Sequence, residues 1–172
     1  GQNIGKVKVD VPVDVLFEGY DEDIYKPTED FSKELVDKLS VIKEDYCFLY
    51  VGHWLQGNLG QDRKDTGMLV KVFLETFKNM DNPPALIMKT SSAGFSIIDR
   101  DDIFKKIEEI RQGVQGNTPP IYLLHGELHD EEMNELYNYP KVKAMVSLTK
   151  GEGFGRPLLE FTRSQKPIMA TA

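Results

Sequence analysis

From residue 46 onward, short apolar runs alternate with stretches in which apolar positions recur at helical spacing, the signature of parallel strands joined by covering helices. The pattern predicts strands at residues 46–51, 85–89, 121–125, 144–148 and 167–170. Between them, Met68, Leu69, Val72, Phe73, Phe77 and Met80 form one helical stripe, and Ile103, Phe104, Ile107 and Ile110 form a second. A shorter helix follows Asp130, with Met133, Leu136 and Tyr137 on one side. Another begins near Arg156-Pro157, where proline's missing donor is not needed. Asn82-Pro83-Pro84 and Asn117-Thr118-Pro119-Pro120 end the first two helices before their strands. Residues 1–45 differ, with one alternating stretch at 11–17 and one amphipathic candidate at 29–39, and read as a lead-in segment plus one helix. Residues 46–172 read as an α/β domain, a Rossmann-like parallel sheet with helices on both faces. Because Ala172 follows directly on a strand candidate, the domain is expected to be incomplete at its C-terminus.

At 172 residues and 40% hydrophobic content, the chain has material for one sizeable core. Its formal charge of -7 argues against general affinity for nucleic acid or an anionic membrane, so an anionic ligand must be met locally. Cys47, alone inside an apolar run, has no internal disulfide partner and reads as a small buried hydrophobe. With no signal-peptide layout at the start and no apolar run long enough to span a bilayer, the expected location is the cytoplasm.

In open parallel sheets, ligands bind at the carboxyl ends of strands, where loops lead into helices. Residues 149–160 occupy such a position. Gly151, Gly153 and Gly155 permit close backbone approach, and the following helix start presents amide donors to an anion. Glu152 and Glu160 are eight residues apart. On one continuous helix that spacing would leave them about 80° out of register. They converge only with Glu152 on the loop and Glu160 on the helix. A carboxylate can accept from two neighbouring hydroxyls, as a ribose diol requires, so Glu160 suits a ribose and Glu152 a sugar. A diphosphate needs further positive charge, and Arg63 and Lys64 are the candidates; the alternative is that they merely balance Asp62 and Asp65 on a solvated loop.

Other motifs are weaker. Gly52 to Gly57 has the outer spacing of a phosphate loop, but Asn58 stands where lysine is required. No Gly-x-Gly-x-x-Gly follows a strand, which disfavours a dinucleotide oxidoreductase. His125 and His129 have a metal-ligand spacing only on a continuous helix, and Gly126 interrupts it. Asp21-Glu22-Asp23 lies away from the phosphate turn and reads as charged surface. No nucleophile, base and acid constellation is recognisable.

These residues resemble the retaining glycosyltransferases of family 4, often called group 1, in the C-terminal domain of their two-domain GT-B fold. Glu152-Gly153-Phe154-Gly155-Arg156-Pro157-Leu158-Leu159-Glu160 fits every fixed position of that family's Glu-Gly-Phe-Gly-x-Pro-x-x-Glu signature. Further matches follow in family order: Val11-Pro12 through Pro27, Leu49-Tyr50-Val51-Gly52, Arg63-Lys64, Gly126-Glu127-Leu128 through Tyr137, and Lys166-Pro167 through Thr171. The sequence departs from the family where His53-Trp54 follows Gly52 in place of an arginine, and where Ser147-Leu148-Thr149-Lys150 replaces a small residue and Pro-Ser.

The resemblance implies transfer of a hexosyl group from a nucleoside diphosphate sugar to an acceptor hydroxyl with retention. Position by position, it implies that Glu160 binds the ribose and that Glu152 contacts the sugar. It sets the amides of Gly153, Phe154 and Gly155 against sugar and phosphate, and Glu127 and Leu128 beside the base. Lys64, with Arg63, would neutralise the leaving diphosphate in place of a metal ion, so no cofactor is expected. The partner implied is an N-terminal acceptor-binding domain outside this chain, without which the fragment is expected to be inactive alone. Two alternatives stay open: a GT-B-like nucleotide-sugar epimerase or phosphorylase, and a non-catalytic interaction module of the same fold.

Overall fold

The structure, a computed structural model, describes residues 11–54, 59–92 and 94–171. Gly57, Asn58 and Ala172 lie outside the described residues. The elements run in the order α1 (Lys33–Leu39), β1 (Cys47–His53), α2 (Thr66–Phe77), β2 (Ala85–Ser91), α3 (Ile97–Gln112), β3 (Ile121–Leu124), α4 (Asp130–Asn138), β4 (Val142–Ser147), α5 (Arg156–Thr162) and β5 (Ile168–Ala170). The strands form one sheet in the order β3-β2-β1-β4-β5, and every pair in it is parallel.

Strand periodicity divides the core between two faces. Cys47 and Leu49 of β1, with Ala85 and Ile87 of β2, pack with Leu35, Leu39, Leu136, Tyr137 and Phe161 from α1, α4 and α5. Tyr50 of β1, with Leu86 and Met88 of β2, packs with Leu69, Val70, Phe73, Ile103 and Ile107 from α2 and α3. Burial on both faces explains why these strands read as continuous apolar runs. Cys47 is fully buried, and burial pushes its thiol up to about 11, as suits an inert core residue.

The expected helices and strands are present with shifted ends. The first covering helix stops at Phe77, because Lys78 is extended and Asn79 takes φ +61°. Asn79 exchanges hydrogen bonds with Asn117, its backbone N–H donating to that residue's carbonyl and its side chain accepting from that residue's N–H. Met80 thus lies beyond the helix, and Met80, Val72 and Phe104 are exposed rather than part of the core. The amphipathic candidate at 29–39 forms a helix only from Lys33, where the Ser32 hydroxyl accepts from the Leu35 N–H at 3.3 Å. The alternating stretch at 11–17 forms no strand, and its apolar residues Val11, Val13, Val15, Leu16 and Phe17 are exposed. No helix among the described residues is long and apolar enough to cross a membrane.

Lys166 ties the end of α4 to the turn before β5, donating to the carbonyls of Tyr137 at 2.8 Å and Tyr139 at 2.9 Å. Burial lowers its pKa from 10.5 to about 8. The unfolded chain holds this proton more tightly than the folded one, so its contribution to stability is lowest and flat below about pH 8 and rises with pH above it. The Cys47 thiol, raised by burial, opposes this rise from about pH 9, and Tyr25, Tyr50 and Tyr137, also raised by burial, do so from the ordinary tyrosine range upward. The expected result is a urea midpoint that climbs between pH 8 and about 9, with a smaller climb in Lys166→Met, where only the buried Lys89 still contributes in that direction. Parallel midpoint curves for the two proteins would contradict it.

Candidate functional site

The strand order reverses at β1, with β2 and β3 on one side and β4 and β5 on the other. The loops leaving β1 and β4 therefore diverge to opposite sides and leave a crevice at their carboxyl ends, where open α/β sheets bind ligands. Residues 59–65 and 148–155 meet there. Lys150 N–H donates to the Arg63 carbonyl at 2.9 Å, and the Thr149 hydroxyl reaches the same oxygen at 3.3 Å.

This contact brings together Arg63, Lys64 and Glu152, which are far apart in sequence. The Lys64 ammonium pairs with Glu152 Oε1, and both side chains are largely shielded, at 12% and 21% exposure. Arg63 Nη1 lies 3.6 Å from Glu152 Oε2 and also donates to the Gly151 carbonyl. Asp62 and Asp65 do not balance the two cations. Buried Asp62 accepts from the Lys64 N–H at 3.2 Å and the Thr66 hydroxyl at 3.2 Å, and the Thr66 hydroxyl is 2.7 Å from the Tyr50 hydroxyl. Asp65 faces Lys150 at 3.5 Å. Asp62 thus holds the loop's backbone and Asp65 meets Lys150, while Arg63 and Lys64 face Glu152. Thr66 was not singled out from the sequence, Asp62 entered only as a possible counter-ion of Arg63 and Lys64, and Tyr50 only as part of the first strand.

Glu152 sits on the loop, where it meets Arg63 and Lys64, and Glu160 sits on α5, where it meets Tyr137 and Arg156. Gly155 caps α5 with φ +81°, a conformation that glycine adopts without strain, and Pro157 opens the helix. Phe154 projects to Phe17 of the lead-in, with ring centroids 5.0 Å apart in an edge arrangement. Glu160 is only 5% exposed. Its Oε2 accepts from the Tyr137 hydroxyl at 3.1 Å, and its Oε1 is held by Arg156 Nε at 3.1 Å and Nη2 at 3.0 Å. Glu160 lifts the Tyr137 and Arg156 pKa values, burial being the larger cause for Tyr137. Arg156 also lines a cavity of about 300 Å³ with Glu18, Gly19, Tyr20 and Asp21, beside Glu160. A larger cavity of about 840 Å³, lined by Tyr46, Phe48, Phe77 and Asp81 among others, lies at the amino ends of β1 and β2, away from this chemistry.

Glu127 and Leu128 lie in the turn between β3 and α4, on the far side of β2 from the glycine turn. Glu127 is exposed and Leu128 packs on the core. His125 is engaged by Asp99, Nε2 to Oδ2 at 2.8 Å, and His129 precedes α4 as its N-cap. Among the described residues, no group of three His, Cys, Asp or Glu is arranged to hold a metal ion. Asp21, Glu22 and Asp23 are exposed.

No protein-family model matches the chain, and no curated protein matches it in sequence. Solved structures do. Trehalose-6-phosphate from E. coli bound with UDP-2-fluoro glucose is similar with a TM-score of 0.52 and 15% identity, over 87% of this chain and 34% of that one, so the chain spans about a third of that protein's length. The C-terminal domain of a glycosyl transferase group 1 family protein (LpcC) from Francisella tularensis is similar with a TM-score of 0.61 and 19% identity, over 88% of this chain and 70% of that one. At these identities the likeness is one of fold: the chain has the Rossmann-like fold of the C-terminal domain of a GT-B glycosyltransferase.

Proposed function

We propose that this domain binds a nucleoside diphosphate sugar in the crevice between β1 and β4, as the donor half of a glycosyltransferase that moves a hexosyl group to an acceptor hydroxyl with retention. The observation that carries the reading is the convergence of Arg63, Lys64 and Glu152 beside the glycine turn. Two cations and one carboxylate supply the local positive charge that a chain of net charge -7 otherwise lacks. A diphosphate entering the crevice draws Lys64 away from Glu152, and the freed carboxylate meets the sugar. Lys64 and Arg63 then neutralise the charge that grows on the diphosphate as the glycosidic bond breaks, a role that elsewhere falls to a metal ion. The amides of Gly153, Phe154 and Gly155 line the path of sugar and phosphate.

Glu160 receives the ribose diol. Its carboxylate is already oriented by Tyr137 from below, while Arg156, whose side chain is 53% exposed, can turn to solvent as the hydroxyls arrive. Glu127 and Leu128 border the base. The similar E. coli structure holds UDP-2-fluoro glucose, a ligand of the same chemical class. Calorimetry with uridine, guanosine and adenosine diphosphates tests the reading. At least one is expected to bind, and Glu160→Gln, which keeps an acceptor for Tyr137 but loses the charge, is expected to weaken it about tenfold. Absence of binding by all three, or an unchanged affinity in Glu160→Gln, would defeat the donor-site assignment.

A further inference from the structure

Lys89 has no part in the reading above, yet it sits beside the loop that the reading sets against the base. It lies near the carboxyl end of β2, in register with Val51 of β1 and Leu124 of β3. Strand alternation puts it on the face of Ala85 and Ile87, the face that packs with Tyr137 and Phe161. Its ammonium donates to the Gly126 carbonyl at 2.6 Å and stands 5.7 Å from the centroid of the Phe95 ring. Its charge is met at longer range by Glu127 and Glu132 and opposed by Lys38, and burial lowers its pKa.

The loop around it is braced. Asp99 holds His125 at 2.8 Å and accepts from the Ser92 N–H at 3.1 Å, so the ends of β2 and β3 are tied together. Gly126 takes φ +111°, and a Cβ there would meet nothing within 4 Å, so the space beside the loop is open. An ammonium has three donors and no acceptor. One donor is spent on Gly126, and a partly buried cation gains from acceptors for the rest. Uracil and guanine carry an exocyclic carbonyl where cytosine and adenine carry an amino group. The carbonyl accepts from lysine; the amino group opposes donor to donor.

We propose that Lys89 reads the base of the nucleotide donor, and that the site takes uridine and guanosine diphosphates in preference to cytidine and adenosine diphosphates. This rests on the donor-site reading. Calorimetry with all four nucleotides, on the chain and on Lys89→Met and Lys89→Arg, tests it. Uridine and guanosine diphosphates are expected to bind about 10- to 100-fold more tightly than the other two. Lys89→Met should erase that gap while retaining affinity for the diphosphate, and Lys89→Arg should keep it. If Lys89→Met does not fold, Lys89→Gln serves, since its amide still donates to Gly126 but can also accept from an amino group, and the gap should narrow. Equal binding of the four, preference for an amino base, or a gap that persists in the folded Met or Gln variant overturns the assignment of Lys89 alone. Failure of all four to bind overturns the donor site itself.

Discussion

Replacing Lys64 by methionine is expected to weaken the binding of the preferred nucleoside diphosphate about 10- to 150-fold, the range for losing a hydrogen bond to a charged group. The Lys64 side chain is 12% exposed and faces Glu152, so its charge acts in a shielded crevice where water screens it poorly. Methionine keeps the length of the stem and removes only the ammonium. The backbone at this position is held independently, because its N–H donates to Asp62 and Asp62 is anchored through Thr66 to Tyr50. The fold should therefore survive, and the urea midpoint serves as the control. Lys64→Arg should recover part of the affinity, limited by the different shape of the guanidinium. An affinity within twofold of the parent in Lys64→Met would remove Lys64 from the site.

Phe161→Ala is the substitution expected to cost the most stability, about 3–5 kcal/mol, against a typical domain total of about 5–15 kcal/mol. Phe161 is fully buried, and its ring meets Tyr137 edge to face at 5.6 Å with planes at 90°. Truncation leaves a cavity between α4 and α5 that rigid neighbours only partly fill. Thermal unfolding followed by circular dichroism should show the midpoint lowered by about 6–20 °C. Tyr137 also positions Glu160, so nucleotide affinity should fall in the fraction that stays folded. A midpoint lowered by less than about 2 °C would contradict the packing of α5 described above.

Much of this arrangement was legible in the chain. Apolar runs such as Cys47 to Val51 and Ala85 to Met88 are buried on both faces, and that double burial makes a central parallel strand readable without its partners. The start of a helix at Arg156-Pro157, which puts Glu160 on it and Glu152 on the glycine turn before it, was legible from the proline, and the structure has it so. Element ends were less legible. α2 stops at Phe77 because Asn79 bonds Asn117, a contact that no local pattern announces. Residues 11–17 alternate yet read as a lead-in, and they pair with none of the described strands.

The amino-acid sequence by itself determined the class of fold and the types of residue available for a donor site, because both follow from local periodicity and short spacing. Tertiary structure decided which charges meet. Whether Arg63 and Lys64 faced their neighbours Asp62 and Asp65 or a carboxylate in another loop depended on β1 and β4 lying side by side, which the strand order alone establishes. The bracing of Glu160 by Tyr137 and the contact of Lys89 with Gly126 arise in the same way, from side chains on different elements meeting at one end of the sheet. Electrostatic and hydrogen-bond energies fall away over a few ångströms, so such pairs exist only once the chain has folded.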